Sequence, residues 1–372
     1  MEWKEDVLGN VLEVKYGKDH KKLADGQYPV YGSGGLMRYV DSILYDGPSI
    51  LIPRKGTLNN IMFVDSPFWT VDTMFWSIIN TDKVDPKFLF YSICKRDFAS
   101  MNVGSAVPSM TVNILNDIQI SYPKNISDQR RIASILSSLD RKIELNNKIN
   151  ADLEEMAQAI FKNWFVDFEP FKNGKFVDSE LGMIPEGWKV GTLEDIAEIT
   201  MGQSPAGNSL NENGEGMIFY QGSSDFGFRF PSIRVFTTEP KRLAVANSVL
   251  FSVRAPVGDI NVAKEECCIG RGVASIKSKY GHDSYLFYAM KSLHKLFDSF
   301  DGEGTVFGSI NKKTLSAIQI LLPSDGIVEQ FNNVASSFDD RIRSLSDENS
   351  RISTLRDTLL PRLMSGELEV PE

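Results

Sequence analysis

The sequence predicts an α+β fold with two globular, mixed α/β domains, each followed by a long helix, and the two helices pairing with each other as a coiled coil. Two observations predict this arrangement. A heptad pattern of apolar residues occurs twice, and the strand-rich sequence in front of each heptad segment is also repeated. A chain of 372 residues is long enough for two or three domains with cores of their own.

The first heptad segment lies between Asp128 and Phe165 and has no internal Pro or Gly. Its apolar seam is Ile132, Leu136, Leu139, Ile143, Leu153, Ala157, Ile160 and Trp164. Two further seam positions hold Asn146 and Asn150, and a buried Asn at such a position fixes register at a cost in stability. A helix of this length spans roughly 55 Å. Its narrow apolar stripe therefore requires a partner helix.

The second heptad segment supplies that partner and repeats the same pattern. Its seam is Phe331, Ala335, Phe338, Ile342, Leu345, Asn349, Ile352, Leu359 and Leu363. Asn349 occupies the position that Asn150 has in the first segment, as expected for a self-complementary pair related by a two-fold axis. The sequence therefore contains two copies of one long helix.

The repeat includes the globular sequence in front of each helix. Short β-branched and aromatic runs, separated by Gly, Pro, Asn and Asp, predict strands in both copies. The matching stretches are Ser49–Ile52 with Ser248–Phe251, Arg54 with Arg254, Leu89–Tyr91 with Leu286–Tyr288, and Ile118–Ile120 with Ile318–Ile320. Pseudo-symmetry then predicts that Met1 lies near the end of the second helix, as Trp188 lies near the end of the first.

These boundaries define six segments. We predict a first domain over 1–126, a long helix over 127–168, a connecting loop over 169–187, a second domain over 188–325, a second long helix over 326–366 and a tail over 367–372.

Composition excludes several classes of protein. The formal net charge of −9 argues against simple electrostatic DNA binding, so basic residues must act locally or a partner must supply positive surface. Residues 1–6 lack the basic and apolar regions of a signal peptide, and no apolar run is long enough for a membrane span. Cys94, Cys267 and Cys268 are expected to be reduced thiols. We therefore expect a cytoplasmic protein.

Motifs for catalysis are missing from the sequence. It contains no G-x-x-x-x-G-K-[ST] loop and no strand–G-x-G-x-x-G–helix pattern. His20, His282 and His294 lack the spacing of a metal site. Glu13-Val14-Lys15 resembles a nuclease motif only loosely, and such a short pattern occurs often by chance. We predict that this chain has no catalytic site and no metal site of its own.

Polar, Gly-rich loops at matching places in the two repeats are the candidate DNA-binding sites, because Gly lets the backbone approach phosphate and Arg can read guanine edges. In the first repeat the candidates are Ser33, Gly34, Arg54, Lys55, Thr57, Gly104 and Ser105. In the second repeat they are Gln221, Ser223, Arg254, Arg271, Gly304 and Thr305. Arg271 has no basic counterpart in the first repeat. The alternative that these loops are ordinary turns remains open.

The ends of the two long helices are candidate partner-binding sites. The aromatic residues there exceed what is needed to end a two-helix coiled coil. The candidates are Trp164, Phe165 and Phe168 on the first helix, Phe171 just after it, and Leu360 and Leu363 on the second helix.

These residues make the sequence resemble the specificity (S) subunit of type I restriction-modification systems over essentially its whole length. The resemblance rests on Pro185-Glu186-Gly187-Trp188, on Ile118-Gln119-Ile120 with Pro123, Gln129, Ile132 and Leu136, on Trp164-Phe165-Val166-Asp167-Phe168, and on the run from Leu360 to Leu368. The order of these motifs and the duplication are together more specific than any one motif.

The resemblance implies a function and a set of partners. Each domain would be a target-recognition domain that reads one half of a bipartite double-stranded DNA site. The two long helices would pair as an antiparallel coiled coil and set the spacer. Two methyltransferase (M) subunits would bring S-adenosylmethionine and flip the target adenine. Restriction (R) subunits would bring ATP and Mg. The chain itself would bind no cofactor.

Two alternatives belong to other classes of protein. One is a coiled-coil scaffold or adaptor that does not read DNA. The other is an enzyme that cleaves or methylates DNA alone, which the missing motifs argue against.

Overall fold

The computed structural model describes residues 1–103, 108–300 and 308–370, and the chain divides into two units. Unit 1 comprises Met1–Asn147 and Ser346–Glu372, and unit 2 comprises Lys148–Leu345. Each unit contains one globular domain and half of each long helix. The predicted α+β fold with two domains and two long helices is confirmed.

The domain of unit 1 consists mainly of short strands. Its strands are β1 (Trp3–Val7), β2 (Leu12–Tyr16), β3 (Tyr28–Gly32), β4 (Gly35–Val40), β5 (Ser49–Pro53), β6 (Met62–Val64), β7 (Trp69–Thr70), β8 (Met74–Ile79) and β9 (Gln119–Pro123). Its helices are α1 (Pro86–Ile93) and α2 (Val112–Asn116), with 3-10 turns at Leu8–Asn10 and Ala99–Met101, and α3 (Ile126–Phe165) is the first long helix.

Within its described residues, the strands of unit 1 form three sheets. One has the order β2-β8-β5-β6, a second has the order β4-β3-β7 with β3 and β7 parallel, and the third pairs β1 with β9. Strand β5 is buried along its whole length, as the apolar run that follows Ser49 predicts. Asp85 caps helix α1 by accepting a 3.0 Å hydrogen bond from the Phe88 backbone N–H, and Pro86 occupies the first helical position.

The connecting segment and unit 2 follow the same plan. The connecting segment has a 3-10 turn at Glu169–Phe171 and the strands β10 (Phe176–Val177) and β11 (Ile184–Pro185). The strands of the second domain are β12 (Lys189–Thr192), β13 (Ala197–Met201), β14 (Leu210–Asn211), β15 (Met217–Tyr220), β16 (Val235–Thr237), β17 (Leu243–Ala244), β18 (Val249–Ser252), β19 (Ile260–Val262), β20 (Cys267–Ile269), β21 (Val273–Ser278) and β22 (Gln319–Leu322). The helices are α4 (Leu193–Ile196), α5 (Asp283–Ser292), α6 (His294–Asp298), α7 (Lys312–Ser316) and the second long helix α8 (Asp325–Met364), with 3-10 turns at Gly207–Ser209 and Ser223–Asp225.

The sheets of unit 2 repeat those of unit 1. The order β13-β21-β18-β19 matches β2-β8-β5-β6, and the pair β12-β22 matches β1-β9. The sheet β14-β16-β15-β20-β17 contains a parallel pair, β15 and β20, that matches β3 and β7. The duplication seen in the sequence is therefore a duplication of topology.

The backbone conformation marks where the two long helices end. Helix α3 ends at Phe165 rather than at residue 168, and Phe168 has a left-handed φ of 55° that no helix can continue through. Helix α8 begins at Asp325 and ends at Met364, and Gly366 with φ of 75° follows it. None of the helices within the described residues combines the length and apolar character needed to cross a membrane.

Each half of the helix pair packs into the core of its own unit. In unit 1, Ile132 and Leu136 of α3 share a core with Leu360 and Leu363 of α8. In unit 2, Phe161 and Phe165 of α3 pack with Phe331 and Ala335 of α8. In both units the beginning of one helix meets the end of the other, so the predicted antiparallel pairing is confirmed.

A tyrosine–aspartate hydrogen bond joins domain and helix in each unit. In unit 1 the Tyr91 hydroxyl donates to Asp140 of α3 at 2.5 Å, and Arg356 of α8 donates to the same carboxylate at 2.7 Å. In unit 2 the Tyr288 hydroxyl donates to Asp339 of α8 at 2.9 Å. Burial raises the pKa of both tyrosines above its usual range, so the hydroxyls stay protonated and remain donors.

In unit 2 the arginine in this network comes from a loop of the domain. Arg229 is only 3% exposed and donates to Glu154 of α3 at 2.9 and 3.1 Å, to the Tyr288 hydroxyl at 3.0 Å, and to Asp339. Its guanidinium lies 4.1 Å from the Phe287 ring centroid. Lys291 forms a second ion pair with Glu154. This loop is therefore held to both long helices of its unit.

The seam asparagines behave differently in the two units. In unit 1, the buried Asn146 donates to Asn349 at 2.9 Å and to Glu348 at 2.8 Å, and Asn349 donates to Asn147 at 2.8 Å. In unit 2, the buried Asn150 makes no such bonds among the described residues, and its Oδ1, like that of Asn146, has no hydrogen-bond partner there. The two equivalent positions Asn150 and Asn349 are thus satisfied unequally.

Each domain also meets the end of the long helix that pseudo-symmetry predicts. The amino group of Met1 lies 3.6 Å from the Glu369 carboxylate, and a Cβ on Gly366 would lie 2.6 Å from the Trp3 indole nitrogen. In unit 2 the Trp188 ring lies 5.9 Å from Phe165. The prediction for Met1 and Trp188 is confirmed.

Candidate nucleic-acid interface

In unit 1 the predicted DNA-binding loops lie side by side. The Asn60 side chain donates to the Ser33 carbonyl at 2.8 Å, which joins the loop after β3 to the loop after β5. The Gly56 N–H donates to the Pro108 carbonyl at 3.2 Å, and Lys55 forms a β-bridge with Ser109. Three loops far apart in sequence therefore share one surface. Ser33, Gly34, Lys55 and Thr57 lie on it, whereas Gly104 and Ser105 fall outside the described residues.

Arg54 is half-buried beside this surface and is positioned by its backbone. Its N–H donates to Thr73 at 2.8 Å and its carbonyl accepts from Met110 at 2.9 Å. The guanidinium lies 5.7 Å from the centroid of the exposed Tyr16 ring. The Arg54 Nε is buried and has no hydrogen-bond partner among the described residues. Tyr16 was not among the predicted site residues, because an aromatic residue at the end of a strand is a weak signal in the sequence.

In unit 2 a corresponding surface forms around Gln221. The Gln221 carbonyl accepts from the Gly272 N–H at 3.1 Å, and its side chain accepts from the Ser204 hydroxyl at 2.9 Å. The Arg271 N–H donates to the same hydroxyl at 3.3 Å. Arg254 forms a β-bridge with Ser309, as Lys55 does with Ser109. Gln221, Arg254 and Arg271 therefore lie on neighbouring loops.

The remaining predicted residues of unit 2 lie in different places. Ser223 begins the 3-10 turn that continues to Asp225, and Asp225 pairs with Arg234 at 3.1 Å. Gly304 and Thr305 fall outside the described residues.

The hydrogen bonds correct one alignment made from the sequence. In unit 1, the Arg54 N–H donates to the turn before β8. In unit 2, the Val253 N–H makes the corresponding bond to the turn before β21. The shared β-bridges then place Lys55 opposite Arg254. Arg254 is therefore the counterpart of Lys55, and matching it with Arg54 was wrong by one residue, because identical residue types were aligned without knowing the strand register.

The aromatic residues at the end of α3 pack inside unit 2. Phe168 and Phe171 lie 5.5 and 5.2 Å from the Trp188 ring, and Trp164 lies 6.2 Å from Phe331. Phe165 is buried, as are Leu360 and Leu363 in unit 1. Packing alone accounts for these side chains. Their contact with a partner stays a prediction.

The described residues contain no cluster of three His, Cys, Asp or Glu side chains that could hold a metal ion. Burial raises the pKa of Cys94 to about 11 and that of Cys267 to about 12, so these thiols stay protonated near neutral pH.

Comparisons with known proteins agree on one family. A protein-family sequence model, described as type I restriction modification DNA specificity domain, matches residues 1–155 and also residues 185–353. The chain is similar to the "Putative type I restriction enzyme MjaX specificity subunit" of Methanocaldococcus jannaschii, with 34% identity, 78% of this chain and 70% of the relative covered. It is also similar to the type I restriction enzyme MjaIX specificity subunit of that organism, with 26% identity over 95% of this chain and 86% of the relative.

A solved structure shares the fold. The crystal structure of a type I restriction-modification system S subunit from M. genitalium matches with a TM-score of 0.62, covering 98% of this chain and 96% of that chain at 16% identity.

Proposed function

The chain belongs to the family of type I restriction modification DNA specificity domains, and from this premise we propose which of its surfaces read DNA. It is a specificity subunit whose two domains recognise the two halves of a bipartite site. We assign one half-site to the surface around Lys55 and the other to the surface around Arg254. The observation that carries this assignment is that two exposed cations occupy the same backbone position in the two units, and neither pairs with a carboxylate in the part of the chain that the structure describes.

The proposal includes partners because the net charge is −9. A protein this acidic gains little from non-specific attraction to phosphate. We assign much of the phosphate-binding surface to two M subunits, which would also supply S-adenosylmethionine and the methyl transfer. R subunits would supply ATP-dependent cleavage with Mg. In this assignment the chain binds no cofactor and has no catalytic role of its own.

The helix pair has the role of a spacer in this proposal. Duplicating residues 145–148 would lengthen α3 by about 6 Å and turn its seam by only about 40° beyond a full turn. The gap between half-sites should then grow by one or two base pairs, since B-DNA rises about 3.4 Å per base pair. Unchanged half-sites with a longer gap would support the assignment, and an active complex with an unchanged gap would refute it.

Domain exchange tests the division of the site. The chain is co-expressed with its M subunit, and methylated adenines are mapped genome-wide. Replacing residues 1–125 with the first domain of another specificity subunit should change one half of the methylated motif only. A change in both halves, or in neither, would contradict independent reading.

The same complex tests the two alternatives. A scaffold that does not read DNA would leave the methylated motif unchanged in every domain exchange. An enzyme that acts alone would methylate or cleave DNA as the purified chain, with S-adenosylmethionine and Mg²⁺ but without M or R subunits.

A further inference from the structure

The turns that lead into β8 and β21 have the same backbone hydrogen bonds in the two units. In unit 1, the Val71 N–H donates to the Tyr31 carbonyl at 3.1 Å, Met74 N–H to Val71 at 3.0 Å and Gly17 N–H to Met74 at 3.0 Å. In unit 2, the corresponding bonds run from Gly270 N–H to the Tyr220 carbonyl at 2.8 Å, from Val273 N–H to Gly270 at 3.0 Å and from Gly202 N–H to Val273 at 3.0 Å. The two turns are therefore equivalent residue by residue.

This equivalence places Asp72 in unit 1 where Arg271 stands in unit 2. Both residues are exposed. Neither side chain takes part in an ion pair within residues 1–103, 108–300 and 308–370. The same position therefore carries opposite charges in the two domains, and each charge is free to meet a ligand.

Both turns border the proposed DNA-reading surfaces. The Thr73 carbonyl accepts from the Arg54 N–H at 2.8 Å, one residue before Lys55. The Gly272 carbonyl accepts from the Val253 N–H at 3.0 Å, one residue before Arg254. Whatever DNA contacts Lys55 or Arg254 therefore passes close to Asp72 or Arg271.

The chemistry of the two side chains separates their roles at such a surface. A carboxylate is repelled by phosphate, so an exposed Asp against DNA is useful only where it accepts a hydrogen bond from a base amino group, and in the major groove an Asp or Glu typically accepts from cytosine N4. An arginine in the same place donates to guanine O6 and N7.

We propose that Asp72 and Arg271 are matched specificity-determining residues, with Asp72 accepting from the amino group of a cytosine in one half-site and Arg271 donating to a guanine in the other. This proposal rests on the proposed function and adds to it the identity of one base pair in each half-site.

The test uses the complex with the M subunit and competition by duplexes that carry each base substitution in turn. Asp72→Ala should reduce discrimination at one position of one half-site by about 10- to 100-fold. Arg271→Ala should do the same at one position of the other half-site. Asp72→Arg should shift the preferred base at its position from cytosine to guanine.

Asp82→Ala is the matched control, because Asp82 is an exposed aspartate beyond the opposite end of β8. It should leave discrimination at every position unchanged.

Two results would overturn the proposal. Uniformly tighter binding of all sequences by Asp72→Ala would mean that Asp72 only repels phosphate. Unchanged discrimination in Asp72→Ala and Asp72→Arg would mean that Asp72 does not meet a base. If exchange of residues 1–125 still changes one half-site, either result removes this inference alone. If that exchange changes neither half, the proposed function fails instead.

Discussion

The two units attach a domain to the same pair of helices with the same tyrosine–aspartate hydrogen bond but with arginines of different origin. In unit 1, Arg356 comes from a long helix, is 23% exposed and binds Asp140. In unit 2, Arg229 comes from a loop of the domain, is 3% exposed and binds carboxylates on both helices. Tyr91 and Tyr288 hold equivalent positions in both arrangements.

The difference shows which part of the attachment the duplication kept. The tyrosine and the aspartate are common to both copies, whereas the arginine comes from a long helix in unit 1 and from a loop of the domain in unit 2. A buried guanidinium with several carboxylate partners is costly to break, because each removed partner leaves a buried charge uncompensated. A partly exposed pair such as Arg356 with Asp140 is screened more by water and contributes less. Unit 2 is therefore expected to depend on its arginine far more than unit 1.

Arg229→Ala should have the largest effect, a loss of about 3–5 kcal/mol in the stability of unit 2. Hydrogen exchange measured by mass spectrometry should show faster exchange in the loop around Arg229 and in helix α5, with unit 1 unchanged. Arg234→Ala is the matched control on the same loop, since its pair with Asp225 is 58% exposed on the arginine side. Equal effects of the two substitutions would contradict the comparison.

Tyr91→Phe and Tyr288→Phe should each cost about 1.5–3 kcal/mol, because each removes a hydrogen bond to a charged acceptor. The effect should appear as faster exchange in α1 for the first variant and in α5 for the second. Tyr280→Phe, at an exposed tyrosine of unit 2, serves as the control. A large effect in one unit only would mean that the shared bond does not have a shared role.

Arg356→Ala should cost about 1 kcal/mol or less, as typical for a partly exposed ion pair. Urea unfolding followed by hydrogen exchange of α1 reports it, and raised salt should reduce the difference between wild type and variant. A loss as large as that of Arg229→Ala would abolish the distinction between the two attachments.

Asn150→Leu should have the smallest effect and the opposite sign, a gain of up to about 1 kcal/mol, because it removes a buried acceptor that lacks a partner. Asn349→Leu, at the equivalent position of α8, should instead destabilise unit 1, because Asn146 loses one of its two acceptors and Asn147 loses its donor. Thermal unfolding of the two variants compares them directly. A loss of stability in both would mean that Asn150 has a partner that compensates its burial.

The sequence predicted the features that depend on a periodic pattern of apolar residues or on the internal duplication. The heptad seams predicted the long helices and their pairing, the family resemblance implied that the pair is antiparallel, and the repeated strand sequence predicted the duplicated sheets. It also predicted that Met1 and Trp188 lie beside helix ends, because pseudo-symmetry relates those positions.

The sequence could not predict features that depend on register or on contacts between distant residues. Matching Arg54 with Arg254 was wrong because two residues of the same type were paired. The sequence alone does not show that the register at the end of the strand differs by one residue. Arg229 gave no signal, since its loop has no periodicity and its partners Glu154 and Asp339 lie far away in the sequence. Asp72 was missed because it is notable only for having the opposite charge to the residue at the equivalent position of the other domain. Only the structure identifies that position.

The division of the chain into units has a consequence for biosynthesis. Unit 2 is one continuous stretch, Lys148–Leu345, so every residue that it needs leaves the ribosome in a single interval. Unit 1 combines Met1–Asn147 with Ser346–Glu372, and the Leu360 and Leu363 side chains that complete its core are translated only after all of unit 2. The apolar seam in the first half of α3 therefore stays exposed to solvent until α8 has been translated. Exposed apolar surface of this kind makes nascent chains aggregate or bind chaperones. A chain that ends at Leu345 and has been released from the ribosome should accordingly contain a protease-resistant second domain and a protease-sensitive first one.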